Sequence, residues 1–264
     1  TNLKVEFADS DHATGICDVD CMGADTEDNL QVVGASYHDR FEREVLITSK
    51  LNHPTCIRIL DFGSTEEDLP FQVMELVPGR PLADVLDECE FMPPARALHI
   101  LKQLLHALAA CGDAGIIHRD LKPENILLYQ SGDDPDCVKL IDFGIAKLIG
   151  DAAVGHEKLT SVGLILGTPH YIAPEWVTKD DVDGRADLYS ATIMLYEMLT
   201  SAPPFLSEDR RALMKMHLRQ RPPALKERKP DGDFSDALEA MVRTHGVLNS
   251  MAVLLAVVAY RPGP

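Results

Sequence analysis

Two short clusters carry the residue types that chemistry needs. His118-Arg119-Asp120-Leu121-Lys122-Pro123-Glu124-Asn125 brings a carboxylate, a lysine and a carboxamide close together, and Asp142-Phe143-Gly144 adds a second carboxylate at the end of an apolar run. Asp120 is placed to accept the proton of an incoming hydroxyl, while Asn125 and Asp142 offer the hard oxygens that Mg²⁺ prefers. Lys122 follows Asp120 by two positions and brings a point charge within reach of a phosphate. This set suits transfer of a γ-phosphoryl group, a reaction in which the protein mainly positions reactants and neutralises charge. A lone Asp-Phe-Gly or His-Arg-Asp carries almost no information. In this order, with a strand hairpin between them, the two clusters are specific.

The surrounding pattern supplies the elements that position them. Pro94 to Ala110 sets Leu98, Leu101, Leu105 and Leu108 on one face, enters through Pro93-Pro94 and leaves through Gly112 and Gly115, which predicts a buried helix. The first cluster follows this helix on a loop. Ile126 to Tyr129 and Val138 to Ile141 are expected strands flanking a Gly-Asp-Asp-Pro turn, and the second cluster ends the later strand. Upstream, His38 to Leu51 has helical spacing at Phe41, Val45, Thr48 and Leu51, and Asn52-His53-Pro54 stops it. Cys56 to Leu60 and Pro70 to Val77 predict two antiparallel strands, and Val77-Pro78-Gly79 marks a break between a strand-rich unit and a helical one. Downstream, Arg185 to Thr200 is apolar on most sides, as a central core helix would be, with further helices expected at Arg210 to Gln220 and Ser235 to Thr244.

With these residues in view, the chain resembles the catalytic domain of Ser/Thr protein kinases, in texture the bacterial eukaryotic-like branch, over roughly residues 38–243. Gly167-Thr168-Pro169-His170-Tyr171-Ile172-Ala173-Pro174-Glu175 is similar to the end of the family's activation segment, and Asp187-Leu188-Tyr189-Ser190 to its buried helix, whose Asp anchors the catalytic-loop backbone. The resemblance implies an α+β, two-lobed fold with an incomplete small lobe over residues 1–77 and a helical large lobe over 78–264. It also implies ATP and Mg²⁺ as cofactors, with Asp120, Lys122 and Asn125 catalytic and Asn125 and Asp142 on the metal. Glu44 would pair with the ATP-binding lysine, Met74 would stand as gatekeeper, and Glu75 to Val77 would form the hinge whose backbone meets adenine; Leu127 and Asp142 complete the cofactor set. Lys122 points to Ser/Thr over Tyr specificity, and a phosphorylated Thr160 or Ser161 would pair with Arg119, with self-association as the route to it.

The two ends depart from the family. No Gly-x-Gly-x-x-Gly precedes Glu44, and the only lysine before it is Lys4, 40 residues away, which is assigned to the ATP site. Thr192 and Ser201 stand where the family has glycine, and residues 244–264 lack the arginine that would pair with Glu175, for which Arg261 is out of step. Two functions therefore stand side by side: a Ser/Thr kinase acting on protein hydroxyls, and a pseudokinase or signalling scaffold with impaired ATP binding. A small-molecule phosphotransferase would share the Asp and Asn, but Lys122, Asp-Phe-Gly and Ala-Pro-Glu argue against it.

Composition bounds these readings. The 264 residues, 45% hydrophobic and 25% charged, describe a globular chain with a mean hydropathy of -0.06. A net charge of -17 excludes a general nucleic-acid or membrane-surface binder. Up to Asp39 nine acids face Lys4 alone, and the acidic segment over residues 6–39 would oppose a polyanionic ligand. Six scattered cysteines predict reduced thiols and a cytoplasmic setting, His12, Cys17 and Cys21 lack the spacing of a zinc site, and the longest apolar run, Met251 to Tyr260, is half a membrane span.

Overall fold

A computed structural model of the chain describes residues 45–46, 48–65, 70–143, 169–178 and 182–243. Helical residues at Val45, Leu46 and Thr48 open it, and Val45 and Thr48 face the core, at the spacing the sequence predicts. Then come β1 (Ile59–Ser64) and β2 (Pro70–Met74), an antiparallel pair with Ile59 opposite Met74 and Phe62 opposite Gln72. The strand expected from Cys56 thus starts three residues later, at Ile59. The backbone at Thr55 and Ile57 is bonded instead to Leu140, through Leu140 N to Thr55 O at 2.7 Å and Ile57 N to Leu140 O at 2.8 Å, so this stretch leaves the β1–β2 ladder and joins the other sheet by a parallel bridge.

That second sheet has the order β3 (Arg80–Pro81), β4 (Ile126–Ser131), β5 (Asp134–Leu140), all antiparallel. The β4–β5 hairpin turns at Gly132, whose φ of 59° is the left-handed region glycine enters without cost. Two helices precede it: α1 (Leu82–Glu88) and α2 (Pro94–Asp113). The sequence reading missed α1, a seven-residue helix with Leu82 as its one buried side chain, too short for a periodicity to emerge. Helix α2 begins with proline in its first turn and ends where Gly115, at φ 71°, lets the Ile116 amide reach back to the Cys111 carbonyl. It is pinned to the hairpin by polar clamps: Arg96 holds Asp136 with two bonds of 2.9 and 2.7 Å, and the Gln103 side chain donates to the Asp136 carbonyl and accepts from the Val138 amide. These clamps explain why β5 starts at Asp134, earlier than its apolar residues alone suggest.

The remaining helices are α3 (Pro174–Thr178), α4 (Arg185–Thr200), α5 (Arg210–Arg219), α6 (Leu225–Arg228) and α7 (Asp236–Arg243). Helix α4 has the predicted bounds, and twelve of its sixteen residues are buried. At ~25 cal/mol per Å² of apolar area removed from water, burial on nearly all sides makes it a large contributor to the core. The result is a small strand-rich part followed by a helical part, an α+β architecture with Leu140, Leu101, Leu104 and Met194 at its centre. Among the described residues no helix is long and apolar enough to cross a membrane.

Candidate functional site

The loop from His118 to Asn125 hangs between α2 and β4, and its shape is set from below by α4. Asp187, almost fully buried, accepts the amide of His118 at 2.7 Å and that of Arg119 at 2.9 Å, one on each carboxylate oxygen. With both amides held, Arg119 takes a φ of 67°, a conformation costing of order 1 kcal/mol or more for a residue with a Cβ. The strain reverses the chain there and presents Asp120. His118 turns inward: its Nε2 donates to the Ile141 carbonyl at 3.0 Å, and its ring lies 5.0 Å from that of Phe143. Burial pushes the His118 pKa down against the pull of Asp187.

Further along the loop the expected residues come together. Asn125 Nδ2 donates to the Asp120 carbonyl at 2.8 Å and reaches Asp120 Oδ2 at 3.4 Å, and Lys122 Nζ lies 3.3 Å from the same Oδ2. The turn of 3₁₀ helix at Pro123–Asn125 makes this closure possible, because three residues per turn bring Asn125 back over Asp120. The Asn125 carbonyl then accepts the Ile141 amide at 3.0 Å, which seats Asp142 beside the loop. Asp142 has a φ of 55°, a second strained residue after Arg119.

Asp142 reaches solvent, yet burial by the surrounding protein first, and then the Asp120 charge, push its carboxyl above the usual range, while His118 and Lys122 draw it down. It makes no hydrogen bond or ion pair among the described residues. A carboxylate held in an unfavourable field beside a carboxamide whose nitrogen is already bonded fits a divalent cation that prefers oxygen ligands. Among the described residues no three His, Cys, Asp or Glu side chains converge as a metal cage, so a cation here would draw its other ligands from phosphates and water.

The segment following β2 is tied to β5, the strand that delivers Asp142, through an ion pair between Glu75 and Lys139. Met74 packs on the core and Val77 is half-buried. The Glu75 amide is bonded to the Arg58 carbonyl at 3.0 Å, and the Val77 carbonyl accepts the Gly79 amide at 2.8 Å, which leaves the Glu75 carbonyl and the Val77 amide without backbone partners among the described residues. One acceptor and one donor, two residues apart on an open edge, can pair with the edge of a planar heterocycle. Leu127 is half-buried on β4. Glycine is required at 79, because a Cβ there would stand 2.8 Å from the Leu128 carbonyl oxygen.

Lys4, Glu44, Gly144, Thr160, Ser161, Thr168 and Arg261 lie outside the described residues, as do His12, Cys17 and Cys21. Cys56, Cys89, Cys111 and Cys137 are free thiols. Two features escaped the sequence reading: the part-buried pair of Lys139 with Glu75, and the Nη1 of Arg119, which is buried without a hydrogen-bond partner among the described residues. A lysine inside the apolar run Val138 to Ile141 was the available signal for the first.

Comparison with known proteins places this geometry. Residues 27–245 match the family model described as protein kinase domain. The chain is 40% identical over 203 residues to the serine/threonine-protein kinase pkn3 of Myxococcus xanthus, covering 77% of this chain and 37% of that protein. It is 37% identical over 190 residues to the serine/threonine-protein kinase PknB of Mycobacterium tuberculosis, covering 71% of this chain and 29% of that one. Among solved structures, Rad53 1-466 in complex with AMP-PNP superposes with a TM-score of 0.65 at 28% identity, over 80% of this chain and 51% of that chain. The chain thus spans about a third of the length of the curated relatives it matches.

Proposed function

The chain belongs to the protein kinase family, and from that membership we infer that it is a serine/threonine kinase transferring the γ-phosphate of ATP to a protein hydroxyl. The observation that carries this is the closure of Asp120, Lys122 and Asn125 on one another with Asp142 seated alongside through the Ile141 amide. Asp120 orients the acceptor hydroxyl and takes its proton, and Lys122, 3.3 Å from the same carboxylate, can follow the phosphoryl oxygens. Asn125 and Asp142 would hold Mg²⁺, which when bound supplies charge neutralisation at the phosphates. Glu75 and Val77 offer the backbone edge for adenine, Met74 closes the back, and Leu127 lies beneath. Lys4 and Glu44 are kept as the pair for the phosphate end of ATP. The lobes are divided at Val77, with residues 1–77 and 78–264 on either side. Acceptor proteins, a cytoplasmic setting and self-association for phosphorylation of Thr160 or Ser161 complete the reading; the relatives' names support the acceptor class, and Arg119 with its orphaned Nη1 supports the last.

Thermal unfolding with ATP, with and without Mg²⁺, distinguishes kinase from scaffold. At a ligand concentration ten times the dissociation constant, binding adds about 1.4 kcal/mol. The kinase reading predicts stabilisation that grows on adding Mg²⁺ and an Asp142→Asn variant that loses the Mg²⁺-dependent part; no stabilisation under either condition would establish the scaffold.

A further inference from the structure

Lys139 lies in β5, three residues before Asp142, and is 8% exposed. Its Nζ donates to Glu75 Oε1 at 2.8 Å and to the Cys56 carbonyl at 3.4 Å. The same Glu75 oxygen accepts the Arg58 amide at 2.9 Å, and the Glu75 amide in turn donates to the Arg58 carbonyl. One ammonium therefore joins three segments: the stretch before β1, the residues after β2, and the strand that delivers Asp142. Strand pairing sets Lys139 directly opposite Leu127, so the two side chains share a face of the sheet. Burial pushes the Glu75 carboxyl up, but the bonds from Lys139 and the Arg58 amide outweigh it and hold the group below its ordinary value.

Packing alone does not call for a lysine here. Removing an ammonium from water is costly, and an apolar side chain of similar length fills such a site as well or better. What an apolar residue could not do is fix Glu75, whose own backbone carbonyl is half of the donor–acceptor edge described above.

We propose that Lys139 is a positioning residue for adenine recognition: acting through the Glu75 carboxylate, it sets where the 75–77 backbone stands relative to Asp142, so that the base end and the phosphate end of a nucleotide meet the protein at a fixed separation. This rests on the reading of the cleft as a nucleotide site. Lys139 itself touches no reacting atom.

The test is equilibrium binding of adenosine and of ATP to the whole chain, with steady-state kinetics beside it. Lys139→Met is expected to raise the dissociation constants of adenosine and ATP alike by about tenfold. The KM for ATP should rise in step while kcat stays within about twofold. Because Lys139 acts through Glu75, the double variant Lys139→Met/Glu75→Gln should bind adenosine no more weakly than Lys139→Met alone. Unchanged adenosine affinity, a loss confined to ATP, or additive losses in the double variant would each overturn the proposal. Should Lys139→Met fail to fold, Glu75→Gln alone, which keeps the side-chain volume, is expected to weaken adenosine several-fold, and wild-type affinity there would overturn it equally. Binding needs no turnover, so a chain that transferred no phosphate would defeat the proposed function while the adenosine affinities still decide this inference.

Discussion

Asp187 occupies the first turn of α4, and its two oxygens accept the His118 and Arg119 amides one apiece. A side chain without those acceptors would leave two amides unsatisfied beneath the strained Arg119, so the shape of the 118–125 loop is set by a residue 68 positions away from Arg119. His118, on the same loop, sets a pH dependence. Its folded pKa is pushed below 6.5 by burial, so the unfolded chain takes up a proton that the folded chain refuses, and its contribution is fully present above about pH 6.5 and lost as pH falls below it. Asp187, Asp120 and Asp142 pull the other way without reversing the sign. Relative to a His118→Asn variant, wild type should therefore lose stability in urea unfolding between pH 7.5 and 5.5, by no more than ~1.4 kcal/mol per pH unit. A difference that stays constant across that range would contradict a buried neutral ring. At this scale the site was legible where its residues are consecutive, as from His118 to Asn125, and illegible where it depends on distant partners: Lys139 and Glu75 are 64 positions apart.

Elements were legible in proportion to how much they bury. Helix α4 could be bounded from the sequence because it is apolar nearly all round, whereas α1 shows one buried residue and no period. The start of β1 was misplaced because Cys56 and Ile57 are buried like strand residues, but the Thr55 carbonyl and the Ile57 amide on either side of Cys56 bond Leu140, a choice made by tertiary pairing that no local pattern records. Ser201 closes α4 at φ 63°, a left-handed conformation that glycine enters more readily; its hydroxyl donates to the Glu90 carbonyl, a tie that glycine could not make. Gly79 is the converse case. A Cβ at this position would meet the Leu128 carbonyl at 2.8 Å and Tyr129 Cβ at 3.1 Å, both set by β4, so Gly79→Ala must push the 75–79 segment outward. The expected cost is about 1–3 kcal/mol. Weaker ATP binding should accompany it, read by unfolding and titration on the same sample; wild-type values for both would mean that the segment is not held against β4.

For the molecule as a whole, charge and length are the properties read most directly from the sequence and explained least by the fold. About half of the net charge of -17 lies in the residues up to Asp39, all outside the described residues. A field of this sign opposes a polyanionic nucleotide, and salt screens it with a length of about 10 Å at 0.1 M, so on the proposed reading ATP would be held by groups that touch it: the Lys122 ammonium, a cation on Asn125 and Asp142, and the 75–77 backbone. Whether these parts together form a working phosphotransfer site is decided most directly by phosphate transfer itself. With labelled ATP, Mg²⁺ and a Ser/Thr-containing protein acceptor, wild type should incorporate label on serine and threonine, and Asp120→Asn should reduce the rate by about 100-fold or more while still binding ATP. Equal incorporation by the two proteins, or none by a wild type that binds ATP and Mg²⁺, would refute that assignment.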